Sequence, residues 1–353
     1  MSLRLRLQPY RLPLRQPWRS ARGSVTERRG WLVTASDGDH AGYGDCAPLP
    51  DAGTEPTSAA RQRLESWLRR SGEDDAATLL HALAAAIPSA TPAADTAVET
   101  ALLDLCARRR GIPLRQLLNE LPPALGPGGC SPMPATDEVT VNGMLGAAVT
   151  VTDGAILAAC AAGFRIIKLK IGLADWTSER SRLEQIVTLL PRGAALRLDA
   201  NGAWAPAQAR SAIAALSDLD AGEGRIESLE EPLRGQDDGL LAALQDQASF
   251  SLALDESLPR RAPVEPSSIP VRRLVLKPAA LGGLRATLDL ALRAVGAERE
   301  VVLTSLVESA AGLWATAQLA GALASPLAQG LATADRQWPY PAAQHRRQRV
   351  QPQ

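Results

Sequence analysis

The sequence predicts an α/β protein, a parallel β/α barrel preceded by a smaller α+β domain. Three observations predict it. From residue 138 onward, seven short β-rich runs alternate with Ala-rich helical stretches. The first 46 residues carry the alternation and turn signals of an antiparallel meander. Five consecutive strands of the later region each place a charged residue opposite their leucines.

The elements follow in order. Residues 1–46 read as three strands: an alternating N-terminal segment, then GWLVTAS and AGYGDC, the last two separated by the turn DGDH. A polar, Arg-rich loop at about 15–29 is expected between the first two. From Thr54 to about Asn119 the chain is Ala/Leu-rich with helical spacing, and TAVETALLDLCARRRG stops on Gly111. These segments make an α+β domain over 1–120. The Pro/Gly-rich stretch at 121–137 reads as a linker. The barrel is assigned to 138–325, with strands VTVNGML, RIIKLKIG, ALRLDANG, RIESLEEP, FSLALDES, RRLVLKPA and EVVLTSLV. The connection 259–270 is Pro-rich and a weak helix former. Residues 326–353 form a C-terminal segment expected to return to the N-terminal domain. An open doubly wound sheet would want a Gly-rich phosphate turn after its first strand, and none is present.

Composition narrows the partners. The 353 residues carry balanced charge, 38 basic against 38 acidic, and no dense basic run marks a nucleic-acid or membrane surface. No apolar run spans a bilayer, and the N-terminus lacks the apolar stretch of a signal peptide. The cysteines (46, 106, 130, 160) are scattered, which suits free thiols in a cytoplasmic protein. A small-molecule carboxylate is the expected partner, with neither nucleic acid nor membrane. The oligomeric state is not readable.

Of the 38 basic residues only three are lysines, Lys168, Lys170 and Lys277. Arginine stays protonated in proteins, whereas a buried lysine can lose its proton near neutral pH. Strand alternation puts Lys168 and Lys170 opposite Ile167, Leu169 and Ile171. It likewise sets Asp199 against Leu196 and Leu198, Glu230 against Leu229, Asp255 against Leu252 and Leu254, and Lys277 against Leu274 and Leu276. The leucines face the helix layer, and the charges point inward near the strands' C-terminal ends, where barrel enzymes build active sites. Three carboxylates make a hard oxygen ligand set suited to Mg²⁺ or Mn²⁺. A neutral lysine beside such a site can remove a proton alpha to a substrate carboxylate, and a neighbouring ammonium lowers its pKa toward that task. The competing reading is that the amines only neutralise the carboxylates, in which case no metal binds. Histidine is confined to positions 40, 81 and 345, which argues against zinc or His-based chemistry.

These residues resemble the enolase superfamily, whose sites pair a Lys or His base with Mg²⁺ and an ene-diolate. Within it, KLK, LDANGAW, LEEP, LDES and LKP resemble the muconate-lactonizing subgroup, with lysines on the second and sixth barrel strands. The mandelate racemase branch would need a histidine, and none lies between 82 and 344. The resemblance implies a modified (β/α)7β TIM-type barrel whose mouth is closed by an N-terminal capping domain. It implies Asp199, Glu230 and Asp255 as ligands of Mg²⁺, with Mn²⁺ the alternative. Lys170 would be the base, Lys277 its partner on the other face, and Lys168 the group that tunes Lys170. Asn201 and Glu256 would support them. Glu231 competes with Glu230, but alternation turns it toward the helices.

GYGDCAPLP, LALDESL, LVLKPAALGGL and TSLVESAAGL narrow the resemblance to the o-succinylbenzoate synthase family. Those lyases dehydrate 2-succinyl-6-hydroxy-2,4-cyclohexadiene-1-carboxylate to 2-succinylbenzoate in menaquinone biosynthesis. Ser305 and Ser309 would either bond the substrate or cap the following helix. N-succinylamino acid racemisation and dipeptide epimerisation use the same two lysines. The Asp-x-Asp expected of dipeptide epimerases is reduced here to Asp335 in GLATADRQW. Muconate cycloisomerisation and a non-catalytic metal-binding barrel complete the alternatives.

Overall fold

The computed structural model describes residues 3–20, 23–121, 134–220 and 222–333. Its first unit is an antiparallel sheet of β1 (Arg4–Ser20), β2 (Gly23–Ser36) and β3 (Ala41–Cys46), in that order. The β2–β3 turn is fixed by Asp37, whose carboxylate accepts the N–H groups of Asp39 and His40. Of the expected loop at 15–29, residues 15–20 and 23–29 are instead strand. β1 and β2 run together from Arg4↔Ser36 to Ser20↔Gly23, with an irregularity between Pro13 and Trp18. This end of the hairpin lacks the apolar alternation of a core strand, so the sequence pattern fails where the backbone ladder continues.

Four helices complete the unit: α1 (Thr57–Arg70), α2 (Ala76–Ala85), α3 (Pro92–Arg110) and α4 (Leu114–Glu120). Asp75 caps α2 by accepting the Thr78 N–H, and Gly111, at φ +63°, ends α3 as the sequence predicts. α3 is buried nearly all round, because it lies against the sheet on one side and packs on the second unit with another. Gly42 and Gly44 let β3 lie directly on α3; a Cβ there would meet the backbone of Ala101, Leu105 and Ala97 at 2.0–2.3 Å.

The second unit is the β/α barrel. Its strands are β4 (Gly143–Ala147), β5 (Ile166–Lys170), β6 (Ala195–Asp199), β7 (Ile226–Glu230), β8 (Ser251–Leu254), β9 (Arg273–Leu276) and β10 (Glu300–Leu303), parallel and in sequence order. Helices α5 (Asp153–Ala161), α6 (Trp176–Leu189), α7 (Pro206–Asp220), α8 (Asp238–Gln247), α9 (Pro278–Leu281), α10 (Leu284–Gly296) and α11 (Ala310–Leu323) cover it. Two short 3₁₀ turns replace a helix in the Pro-rich connection between β8 and β9. The sheet's two edges meet through residues 329–330, which bridge Val141 beside β4 and Thr304 after β10. That closing segment lies within the C-terminal stretch that the sequence sets apart from the barrel; residues 334–353 are outside the described residues, as are residues 122–133 of the linker.

The leucine faces of the strands form one core with the helices. Ile167, Leu169, Leu196, Leu198, Leu229, Leu252, Leu254, Leu274 and Leu276 are all buried, with Leu183, Ile186, Ile213 and Leu244 packed over them. Each such side chain contributes roughly 1.5–3 kcal/mol by leaving water. Among the described residues no helix is long and apolar enough to cross a membrane.

Candidate active site

Parallel register carries the charged residues to one level. Lys170 is paired with Asp199, and Asp199 with Glu230, at the C-terminal ends of β5, β6 and β7. Asp255 follows β8 and Lys277 follows β9. The sheet order therefore places the three carboxylate strands between Lys170 on one flank and Lys277 on the other. They meet at a cleft of about 1030 Å³, its open mouth included, lined by Lys168, Lys170, Asp199, Asn201, Asp255, Glu256 and Lys277. Glu230 is 1% exposed and lies behind Lys168.

The ammonium of Lys168 lies 3.0 Å from Asp199 Oδ2 and donates to Glu230 Oε2. Lys277 Nζ is 2.5 Å from Asp255 Oδ1. Lys170 Nζ donates to Asn201 Oδ1 at 2.6 Å, and Asn201 Nδ2 donates to Glu256 Oε1 at 3.2 Å. Asn201 sits at φ +45° and also donates its backbone N–H to Asp199. The Asn201 side chain thus ties Lys170 to Glu256, while its backbone holds Asp199.

Burial is the largest influence on each of these groups, and neighbouring charges reverse its sign at Lys168 and Lys277. Burial, helped by the Lys168 charge, holds the Lys170 amine below the usual lysine range, against the pull of Asp199. For Lys168 burial acts the same way, but the Asp199, Glu230 and Asp255 charges outweigh it and raise its pKa. Lys277 is raised too, because Asp255 and Glu256 overcome its burial. Burial lifts Glu230 to about 7, with Asp199 and Asp255 adding to the lift and Lys168 opposing it. Burial with the Asp255 and Asp199 charges lifts Glu256 to about 7. The ordering separates one amine whose pKa is lowered from two whose pKa is raised.

The donor set fits a hard divalent cation. Three buried carboxylates stand on adjacent strands; burial, with the Asp199 and Asp255 charges adding to it, pushes Glu230 up, and each carboxylate already draws an ammonium to itself. Among the described residues no three Asp, Glu, His or Cys side chains are drawn together as a preformed cage. The fit is one of chemistry and strand register, with Lys168 and Lys277 standing on the carboxylates.

Glu231 is buried but turned from the cleft. At φ +44° it sends Oε1 to the Asp255 N–H (2.7 Å), the Ser257 N–H (3.0 Å) and the Ser257 hydroxyl (2.7 Å), and so fixes the loop that carries Asp255. Ser305 lines the cleft and shares a hydrogen bond with Thr333 at 2.9 Å. Ser309 does not line it. Ser309 occupies the N-cap position of α11 without a capping side-chain bond, and its N–H donates to Asp45.

Sequence reasoning missed several parts. Asn142, Met144, Thr304, Thr333 and the capping residues Val25, Leu49, Asp51 and Ala52 also line the cleft. Thr304, at the end of β10, follows the same strand-end rule that found the charges. Two residues below Asp199, Arg197 pairs with Glu227, which also meets Arg273, itself paired with Glu300. Glu227 should share the Leu229 face; an irregularity in the β6–β7 register at this level brings it to the arginines instead.

Residues 154–351 match the family model described as enolase C-terminal domain-like, and residues 3–98 match the MenC N-terminal domain model. A curated relative from Desulfotalea psychrophila, named o-succinylbenzoate synthase, is 28% identical over 344 residues, covering 91% of each chain. The o-succinylbenzoate synthase structure from Thermosynechococcus elongatus BP-1, complexed with Mg in the active site, is 26% identical with a TM-score of 0.73, covering 96% of this chain and 95% of that one. A dipeptide epimerase from Enterococcus faecalis V583, complexed with Mg and L-Leu-L-Tyr, superposes with a TM-score of 0.82 over 97% of this chain and 93% of that one; at 22% identity it shows the fold alone.

Proposed function

This chain belongs to the enolase C-terminal domain-like family, and from that premise we propose that it is a Mg²⁺-dependent o-succinylbenzoate synthase. The observation that carries the reading is the pair of amines, Lys170 and Lys277, flanking three buried carboxylates at the strand ends. The o-succinylbenzoate synthase relative spanning 91% of this chain supports the choice of substrate.

Asp199, Glu230 and Asp255 would hold the cation. When bound, it would supply positive charge against the substrate carboxylate while the adjacent carbon loses its proton. The residues do the rest. Lys170, whose pKa burial lowers, takes the proton alpha to the carboxylate in its deprotonated form. The enediolate formed is flanked by the Lys277 ammonium. Lys170 then returns the proton to the departing ring hydroxyl, so one C–H and one C–O bond break, water leaves and the ring becomes aromatic. Leu49 and Ala52 from the cap, with Leu306 and Val307 from the barrel, shield this chemistry from solvent. A cytoplasmic setting suits the buried free thiols of Cys46 and Cys160.

The test is the ultraviolet signal of aromatisation when purified protein and Mg²⁺ meet the cyclohexadiene carboxylate. Absence of that signal, with deuterium exchange at the alpha carbon of N-succinyl amino acids or dipeptides, would favour the racemase or epimerase reading, which the same two opposed lysines support.

A further inference from the structure

The cleft has walls from two domains. The capping side contributes Leu49, Asp51 and Ala52; the barrel side contributes Thr304 to Val307. Between the loops that carry these walls lies Arg28 of β2, a cation only 3% exposed. Its hydrogen bonds go to backbone carbonyls. Nη2 donates to Ala47 at 2.5 Å, Nη1 to Pro48 at 3.0 Å and Nε to Val307 at 3.2 Å.

Val307 is itself unusual. It sits at φ +60°, a region that a β-branched side chain avoids unless its surroundings hold it there. Around it the Ser305 hydroxyl accepts the Val307 N–H at 3.4 Å, and Glu308 Oε2 accepts the Leu306 N–H at 2.7 Å. A second seam runs alongside: Asp45, near the end of β3, accepts the Ser309 N–H at 2.6 Å and the Tyr10 hydroxyl at 2.6 Å. Gly312 of α11 permits this approach, since a Cβ there would come within 2.6 Å of Glu308 Cβ and 3.0 Å of Asp45 Oδ2.

We propose that Arg28 is a positioning residue for substrate binding: its guanidinium straps the cap loop at 47–48 to the barrel loop at Val307 and so sets the separation of the cleft's two walls. It acts through those loops and touches no substrate. Three different nitrogens of the planar guanidinium reach the three carbonyls; a lysine ammonium carries its donors on one nitrogen and would reach fewer. The kinetic arm of the test rests on the synthase reading, whereas the exchange arm does not.

Arg28→Met and Arg28→Lys are compared with the wild type. In the methionine variant KM for the cyclohexadiene carboxylate is expected to rise about tenfold or more while kcat changes by less than about threefold, with the lysine variant in between. By hydrogen exchange, peptides covering 47–54 and 304–309 are expected to open about tenfold faster, while those covering β5 to β7 stay unchanged. Unchanged exchange in both loops overturns the strap, as does a fall in kcat at constant KM. If the wild type shows no dehydration, the synthase reading falls alone and the exchange comparison still decides. If the methionine variant fails to fold, the lysine variant decides by the same two readouts.

Discussion

Lys170 donates to the side-chain oxygen of Asn201 at 2.6 Å, while Lys168, two residues earlier on the same strand, sits on Asp199 and Glu230. Two amines on one strand face thus have opposite electrostatic fates, one lowered and one raised. Lys170→Arg keeps the charge but cannot supply a neutral base. We expect a loss of roughly 10²–10⁴-fold in kcat with the melting temperature nearly unchanged, and near-normal turnover in the aromatisation assay would remove Lys170 from the base role.

The lowered Lys170 also sets a pH profile. A base works deprotonated, so kcat/KM should rise with pH through the Lys170 pKa, at a midpoint below the usual lysine range. Lys168→Met removes one of the two influences that lower it. The rising limb should then move to higher pH, and a rate–pH curve displaced the other way would contradict the coupling.

Metal removal gives a third check. Chelator should abolish turnover and Mg²⁺ should restore it. Since only the folded chain sets the three carboxylate strands side by side, Mg²⁺ at about a hundredfold above its Kd should stabilise it by roughly 2.7 kcal/mol. A melting temperature indifferent to Mg²⁺ would support the view that Lys168 and Lys277 merely neutralise the acids.

Glu231 holds the Asp255 loop through three hydrogen bonds to one oxygen. Glu231→Ala leaves those donors buried and unpaired, at a cost of about 2–4 kcal/mol in denaturant unfolding. Asp255 should lose its fixed position as well, weakening Mg²⁺ binding by about 10–100-fold in a calorimetric titration. Wild-type metal affinity in this variant would show that the loop holds itself.

Away from the cleft, burial lifts the Glu308 carboxyl from 4.5 to about 7, and Asp45 adds to the lift. Between those values the unfolded chain has released this proton and the folded chain retains it. The unfolded state then binds fewer protons, so stability falls as pH rises, by on the order of 3 kcal/mol from this group. Glu308→Gln, which can still accept from Leu306, should flatten that slope in melting curves between pH 5 and 7. An unaltered slope would point to other acids.

The barrel and its charged strand ends were legible because alternation and parallel register are local rules. Leu198 and Asp199, or Leu276 and Lys277, declare opposite faces within two residues. What stayed hidden depends on tertiary partners. Arg28 bonds to carbonyls, one of them 279 positions away, and a backbone acceptor leaves no trace in residue type. Glu227 joins Arg197 through a register irregularity that strict alternation denies. The strand that closes the barrel is two isolated bridges at 329–330, too short to print a pattern. The Pro- and Arg-rich stretch near Pro13 pairs without an apolar face, so its composition suggested a loop.

Because the chain's three ε-amines all stand in the cleft, with Lys168 and Lys277 side chains only 15% and 13% exposed, its outer surface offers essentially no lysine to an acylating reagent. Labelling at the lysine positions becomes a gauge of the cleft itself. Protection by a bound ligand, read as lost label by mass spectrometry, would report occupancy without any turnover assay.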